Sequence, residues 1–176
     1  MERKLINMAT KTLVILGSSR KNSDTARLVT TLFQENLVTT VDLLDYQINP
    51  FHYESQYAKD DGFMDVVELM LSHDRIVFAT PVYWYAMSGL MKTFFDRLTD
   101  IVTIRKETGR RLKGKQTFLV TVGADDALPV GFEEPFRLTS LYLDMEFIAT
   151  LYCKTSEINV KNTAGERFIS GILNSQ

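Results

Sequence analysis

Along the chain, short unbroken apolar runs alternate with stretches in which apolar residues recur every three or four positions. The first pattern is that of buried strands, the second that of helices with one buried face. Thr12 to Leu16 is an apolar run stopped by Gly17. From Ala26 the spacing changes, and Ala26, Val29, Leu32, Phe33 and Leu37 fall on one helical face. Thr39 to Leu44, rich in β-branched residues, predicts a second strand. An irregular stretch to Lys59 follows, with Pro50 and several aromatics. Asp60–Asp61 can cap a helix that buries Phe63, Val66, Val67, Met70 and Leu71. Arg75 to Ala79 predicts strand three, cut off by Thr80–Pro81, and Met87, Leu90, Met91, Phe94, Phe95 and Leu98 make the next helical stripe. Gln116 to Val122 predicts strand four, ending at Gly123; a helix around Phe136 to Tyr142 and a strand from Glu146 to Tyr152 come after it. The last helix opens on a capping box, Thr163 to Glu166, and buries Ala164, Phe168, Ile169 and Ile172.

Five βα units in succession argue for a parallel sheet with helices on both faces. Right-handed crossovers make the leading topology an α/β, flavodoxin-like three-layer sandwich, with a five-stranded parallel sheet in the order 2-1-3-4-5 and one domain spanning residues 1–176. A chain of 176 residues, 45% hydrophobic and 24% charged, has the size and composition of an ordinary globular protein with one core. Its net charge of −2 gives no reason to expect nucleic acid or an anionic membrane as partner. No apolar run approaches the ~18–20 residues of a membrane span, and no apolar stretch of signal-peptide length precedes Lys11. The lone Cys153 has no disulfide partner and no Cys/His cluster has metal-ligand spacing, so a reducing, cytoplasmic location and no metal are expected.

In doubly wound sheets, ligands sit beyond the carboxyl ends of the strands, where the strand order reverses. The loops after strands one, three and four are therefore the informative ones. The first, Gly17 to Thr25 (GSSRKNSDT), puts serines, a threonine, an arginine and backbone N–H groups at a helix N-terminus. Those are the donors a phosphate needs, although a polar turn ending in a helix cap has the same composition. It lacks both the G-x-G-x-x-G of a dinucleotide fold and the Gly-Lys-Ser/Thr of a triphosphate loop. The second, from Thr80, carries Tyr83, Trp84 and Tyr85 in a row, a surface on which a flat ring can pack, or which simply covers the sheet edge or an oligomer interface. Met87, Ser88 and Gly89 then open a helix with room for close backbone approach. The third, Thr121 to Asp126, offers a glycine turn.

These residues resemble the NADPH-dependent FMN reductase family, including its iron–sulfur branch. Its phosphate loop is matched by Gly17, Ser18, Arg20, Ser23 and Thr25, and its T-P-x-Y…S-G…K…D-R pattern by Thr80, Pro81, Tyr83, Ser88, Gly89, Lys92, Asp96 and Arg97. The resemblance runs over roughly residues 10–155. It implies an FMN phosphate held by Ser18, Arg20, Ser23 and Thr25 with backbone help from Asp24, and a ring resting on Pro81, Val82, Tyr83, Trp84 and Tyr85. Gly123 and Ala124 would lie beside that ring. It gives Lys92, Asp96 and Arg97 a structural part, with an Asp–Arg pair anchoring the helix. The iron–sulfur branch carries cysteines between strand two and helix two; Tyr46 to Asp60 has none, which excludes that cluster.

The activity implied is NAD(P)H oxidation through FMN, with NADPH or NADH as co-substrate and a quinone, nitro, azo or similar small molecule as acceptor. No catalytic side chain is required, since the cofactor carries the chemistry. The alternative is a flavodoxin-type electron carrier without its own small substrate. The resemblance also implies a homodimer or higher homo-oligomer with the flavin at a subunit boundary, for which the aromatic loop, Phe51, Tyr53 and Ala127 to Phe132 are suitable material. The basic run Arg105 to Lys115 is either a solvated loop or an attractor for nicotinamide phosphates; His52, His73 and Cys153 read as ordinary surface or core residues.

Overall fold

A computed structural model of the chain describes residues 10–33, 38–158 and 163–174. Five parallel strands form one sheet in the order β2-β1-β3-β4-β5. They are β1 (Thr12–Leu16), β2 (Thr39–Asp42), β3 (Arg75–Pro81), β4 (Gln116–Gly123) and β5 (Glu146–Lys154). The helices are α1 (Asp24–Phe33), α2 (Phe63–Ser72), α3 (Gly89–Thr103), α4 (Lys106–Arg110), α5 (Glu134–Tyr142) and α6 (Thr163–Asn174). β1 and β3 are buried along their whole length because helices cover both faces, which is why they read as unbroken apolar runs.

The alternation of side chains along each strand splits the core in two. Leu13, Ile15, Ile76, Phe78 and Leu119 face α2, α3 and α5. Val14, Leu16, Val77, Phe118 and Val120 face α1 and α6. On the first side Phe95 packs edge-on against Phe78 and Phe136, with centroids 5.1 and 5.0 Å apart. Burying each such ring contributes about 1.5–3 kcal/mol, so α3 and α5 are fixed to the sheet mainly by this cluster.

Several boundaries differ from the sequence expectation, each for a local reason. β2 stops at Asp42, because its carboxylate accepts the Leu44 N–H at 2.9 Å and turns Leu43–Asp45 into a short 3-10 turn. β3 continues through Pro81, which pairs in register with Val122. The missing proline N–H faces the side where β1 has already turned away, while the Val82 N–H donates to the Val122 carbonyl at 2.8 Å. β4 and β5 also run on, to Gly123 and Lys154. In α1, Thr25 and Leu28 are buried with Val29 and Phe33, whereas Ala26 and Leu32 are half-buried; Leu37 lies outside the described residues. In α6 the small residue against the core is Gly165, and Ala164 is exposed. Thr163 is already helical, so the capping position before it falls outside the described residues.

Gly62, not the acidic pair, is the cap of α2, although one Asp61 oxygen accepts the Phe63 N–H at 3.2 Å. The other Asp61 oxygen belongs to Arg97, at 2.6 Å. Arg97, 2% exposed, also donates through Nε to Asp100 at 2.9 Å and lies 3.4 Å over the Tyr57 ring. Arg97 therefore anchors α3 through two ion pairs, with Asp61 and with Asp100; Asp96 instead pairs with Lys92 on the exposed face. Among the described residues no helix is long and apolar enough to cross a membrane.

Candidate functional site

The carboxyl edge of the sheet brings together the three loops after β1, β3 and β4. The first two are fastened by Ser88, the N-cap of α3. Its hydroxyl accepts the Met91 N–H at 3.1 Å and donates to the Gly17 carbonyl at 2.7 Å, while its own N–H donates to Thr80 Oγ1 at 3.1 Å. The close approach that sequence reasoning assigned near Gly89 lies instead at Gly17. A Cβ there would meet Met91 Cε at 2.9 Å, whereas one on Gly89 would meet nothing within 4 Å. Glycine after β1 is thus dictated by α3 packing under the loop.

Within the first loop the expected residues divide by what they already bond. Ser23 is the N-cap of α1, its Oγ accepting the Ala26 N–H at 3.1 Å. Asp24 is paired with Arg27. Lys21 reaches back to Asp42 at 3.1 Å and Asp45 at 2.5 Å, and the Asp45 carboxylate, helped by Asp42, holds its ammonium above the usual range. Ser18 and Thr25 are different. Both are buried, at 1% and 0% exposure, and neither hydroxyl has a hydrogen-bond partner among the described residues. A buried polar group without a partner costs about 1–3 kcal/mol, and these two sit where the N-terminus of α1 concentrates unpaired N–H groups. Arg20 is exposed and enters no ion pair among the described residues. Two hydroxyls and a guanidinium at a helix N-terminus fit the phosphate of FMN.

The second loop is a tight hairpin. Tyr83 and Ala86 exchange backbone hydrogen bonds of 2.9 and 3.1 Å across Trp84 and Tyr85, whose φ angles are +48° and +64°. That two-residue turn needs left-handed backbone at both central positions and normally takes Asn-Gly. Here it holds two bulky aromatics at an expected cost of about 1–2 kcal/mol each. The turn sets Trp84 and Tyr85 outward, at 93% and 70% exposure, over the buried Pro81 and half-buried Val82. The Tyr83 hydroxyl lies 3.1 Å from Ser19 Oγ, which ties the aromatic loop to the phosphate-type loop. Ser19 is the neighbour that the sequence leaves without a role, its only signal the run Gly-Ser-Ser; Ser88, matched in the S-G of the family pattern, is the cap that joins the first two loops.

In the third loop Gly123 has a reason of its own. A Cβ there would stand 2.7 Å from the Tyr152 hydroxyl, which crosses over it to donate to the Asp125 carbonyl at 2.6 Å. Burial pushes the Tyr152 phenol up. Ala124, the next residue, is exposed toward the edge. Behind it, Thr121 is fully buried with its hydroxyl unpartnered, the same signature as Ser18 and Thr25.

Other candidates lie elsewhere. Residues 105–115 follow α3 and precede β4, at the amino edge of the sheet, so they face away from the three loops by the length of a strand, roughly 20 Å. Phe132 is a core residue at 3% exposure, which removes it from the surface expected for a partner; Val130 is fully exposed. His73 is buried against Leu69, Ser72 and Thr39, and His52 pairs with Glu54 on the surface. Cys153 is buried in β5, and burial raises its thiol. Among the described residues no group of three or more His, Cys, Asp or Glu could hold a metal ion.

Comparison with known proteins bears on the family and the fold. Residues 10–151 match the family described as NADPH-dependent FMN reductase. YwqN of Bacillus subtilis, which bears the name of an NAD(P)H-dependent FMN-containing oxidoreductase, is 28% identical over 123 residues, 66% of this chain and 68% of its own. The fold is shared with the Trp repressor binding protein of Bacillus subtilis, with a TM-score of 0.73 and 22% identity over 94% of this chain and 100% of that one. An NADPH-quinone reductase from P. pentosaceus superposes with a TM-score of 0.68 and 18% identity, covering 95% and 99% of the two chains. The chain belongs to the NADPH-dependent FMN reductase family and is an FMN-dependent NAD(P)H oxidoreductase.

Proposed function

We propose that the whole chain is one FMN-binding domain that oxidises NAD(P)H and delivers the electrons to a planar quinone, nitro or azo compound. The observation that carries this reading is the pair of buried, unpartnered hydroxyls of Ser18 and Thr25 at the start of α1. Together with the free guanidinium of Arg20 they form the phosphate grip, with the cap of Ser23 and the backbone of Asp24 completing it. Pro81 and Val82 make the floor for the ring, and Tyr83, Trp84 and Tyr85 its aromatic wall. Gly123 and Ala124 bound the opposite side, Gly123 through its backbone because Tyr152 covers its Cα.

When bound, FMN supplies the hydride chemistry between nicotinamide and acceptor. The protein's part is to bind, orient and shield. Ser88 and the Ser19–Tyr83 contact fix the phosphate-type loop against the aromatic loop, which sets where a ring can lie relative to its phosphate. Trp84 and Tyr85, held outward by a strained turn, offer stacking surface to a flat acceptor. Trp84 and Tyr85 expose apolar surface at this edge, which supports a homodimer with two-fold symmetry covering it.

Titration with FMN and riboflavin tests the site, since tighter binding of FMN is expected and equal binding would remove the phosphate grip. Steady-state NADPH and NADH oxidation with quinone, nitroaromatic and azo acceptors tests the activity. Light scattering of the FMN-loaded protein should give twice the chain mass.

A further inference from the structure

We propose that the amino edge of the molecule, remote from the flavin site, is a docking surface for an acidic amphipathic helix of another protein. Three observations meet there. The outward face of α5 carries Leu138, Leu141 and Tyr142, at 50%, 64% and 76% exposure. Their i, i+3, i+4 spacing makes them one stripe, on the side of the helix turned away from buried Phe136 and Ser140. The stripe ends at a cavity of about 280 Å³ floored by Ile101, Val102 and Leu143 and walled by Tyr142, Lys106 and Arg110. This lies just under the range of small-molecule pockets, ~300–1,000 Å³, and suits one or two anchoring side chains of a protein partner.

Charge selects the partner. Residues 105–115 hold six cationic side chains against the single carboxylate of Glu107, in a chain whose net charge is −2. Lys115 is turned inward to the carbonyls of Leu71 and His73, and Arg110 is shared with Glu107. Lys106, Arg105, Arg111 and Lys113 remain on the surface, with Asp144 the one acid lining the cavity. At its cavity end the apolar stripe meets Lys106 and Arg110, with Glu107 and Asp144 beside them. The exposed Arg105, Arg111 and Lys113 belong to the same segment. This basic excess is complementary to a helix with apolar anchors on one face and carboxylates beside them. A second copy of this chain fits poorly, since a two-fold contact here would set the two basic segments against each other. Docking at this edge leaves the three carboxyl-edge loops free, so the bound protein does not compete with a small molecule for them.

The test uses the FMN-loaded full chain and two labelled helical peptides of about fifteen residues. Both carry Leu at i, i+3, i+4 and i+7; one has Glu at the flanking positions, the other Lys. Fluorescence anisotropy should show the Glu peptide binding at micromolar concentration and the Lys peptide at least about tenfold more weakly. Tyr142→Glu, and the pair Lys106→Glu with Arg110→Glu, should each weaken the Glu peptide about tenfold and leave NAD(P)H oxidation unchanged. Equal binding of the two peptides, binding that survives both variants, or none up to millimolar concentration overturns the proposal. So does a fall in assembly mass on Tyr142→Glu, which would make a second copy the occupant.

Discussion

Two polar regions flank α3, and they are built on opposite principles. Around Arg97 each ionic group finds its partner inside the chain: Asp61 at 2.6 Å, Asp100 at 2.9 Å, and the Asn49 carbonyl at 3.0 Å. Tyr57 stacks on the guanidinium and donates to Asp100 at 3.0 Å. Around the N-terminus of α1, by contrast, two equally buried hydroxyls have no partner among the described residues, and the neighbouring turn is strained. The first region gives up nothing when the protein is alone, so it is a fastening. The second holds hydroxyls that only an added group would satisfy, which is what the proposed phosphate grip requires.

The largest effect should come from breaking the fastening. Arg97→Leu leaves the Asp61 and Asp100 carboxylates buried without a cation, which costs about 3–5 kcal/mol. Urea denaturation should show that loss, while FMN affinity of the folded fraction stays within about twofold. A variant with normal stability and weakened FMN binding would reverse the roles of the two regions.

Next in size is the site itself. Arg20→Ala should lower FMN affinity by about 1.5–3 kcal/mol, as for a hydrogen bond to a charged group, and Ser18→Ala and Thr25→Val by about 1 kcal/mol each. Riboflavin affinity should not move. The sharper half of the expectation concerns the protein without FMN: removing an unpartnered hydroxyl should leave its melting temperature level or raise it. A fall in stability equal to the fall in affinity would show those hydroxyls to be structural.

The strained turn comes third. Replacing Trp84–Tyr85 by Asn-Gly matches the left-handed backbone and, after the larger backbone entropy that glycine loses on folding is set against the relieved strain, should stabilise the chain by a net of about 1–2 kcal/mol. If the aromatics serve the acceptor, kcat/KM for quinones should fall at the same time. A stabilised variant with full activity would mean that the strain serves no function at this site.

This contrast also separates what the sequence could show from what it could not. The sheet order, the strand cores and the three carboxyl-edge loops follow from local periodicity and from Gly17, Pro81 and Gly123, and all are where the pattern puts them. The misplaced details depend on contacts between segments far apart in sequence. Asp61 reads as a helix cap because its neighbour in the chain is α2, but its partner Arg97 lies 36 positions away. Gly89 reads as the close-packed glycine because it opens a helix, but the crowding falls on Gly17, where Met91 arrives from another segment. Phe132 reads as interface material because it closes the apolar segment Ala127 to Phe132, yet it packs against Phe136 of α5 in the core. Partnerless hydroxyls have no sequence signature at all, since serine and threonine at a helix start look the same whether bonded or not.

The smallest effect, a pH dependence, tests the fastening from the other side. Burial pushes the Asp61 carboxyl up, but Arg97 and the N–H groups of Asn49 and Phe63 outweigh it and leave the group below its ordinary value of 3.8. The folded chain therefore keeps Asp61 ionised at a pH where the unfolded chain has begun to protonate it. The stability this contributes is fully present above that ordinary value and is lost as pH falls through the lower folded one. Asp126 and Glu134 are shifted the same way by Lys154 and Arg137, so acid weakens them too. Those pairs are exposed, and salt screens them, whereas the Asp61–Arg97 pair is shielded from solvent on both sides. Urea unfolding from neutral pH into the acid range, at low and high salt, should therefore show an acid-sensitive component that salt does not remove. In Asp61→Asn that component should vanish, and the stability gap between wild type and variant should close as pH drops below 3.8. A gap that stays constant through the acid range would show that Asp61 holds Arg97 by shape and hydrogen bonding, with its charge contributing nothing.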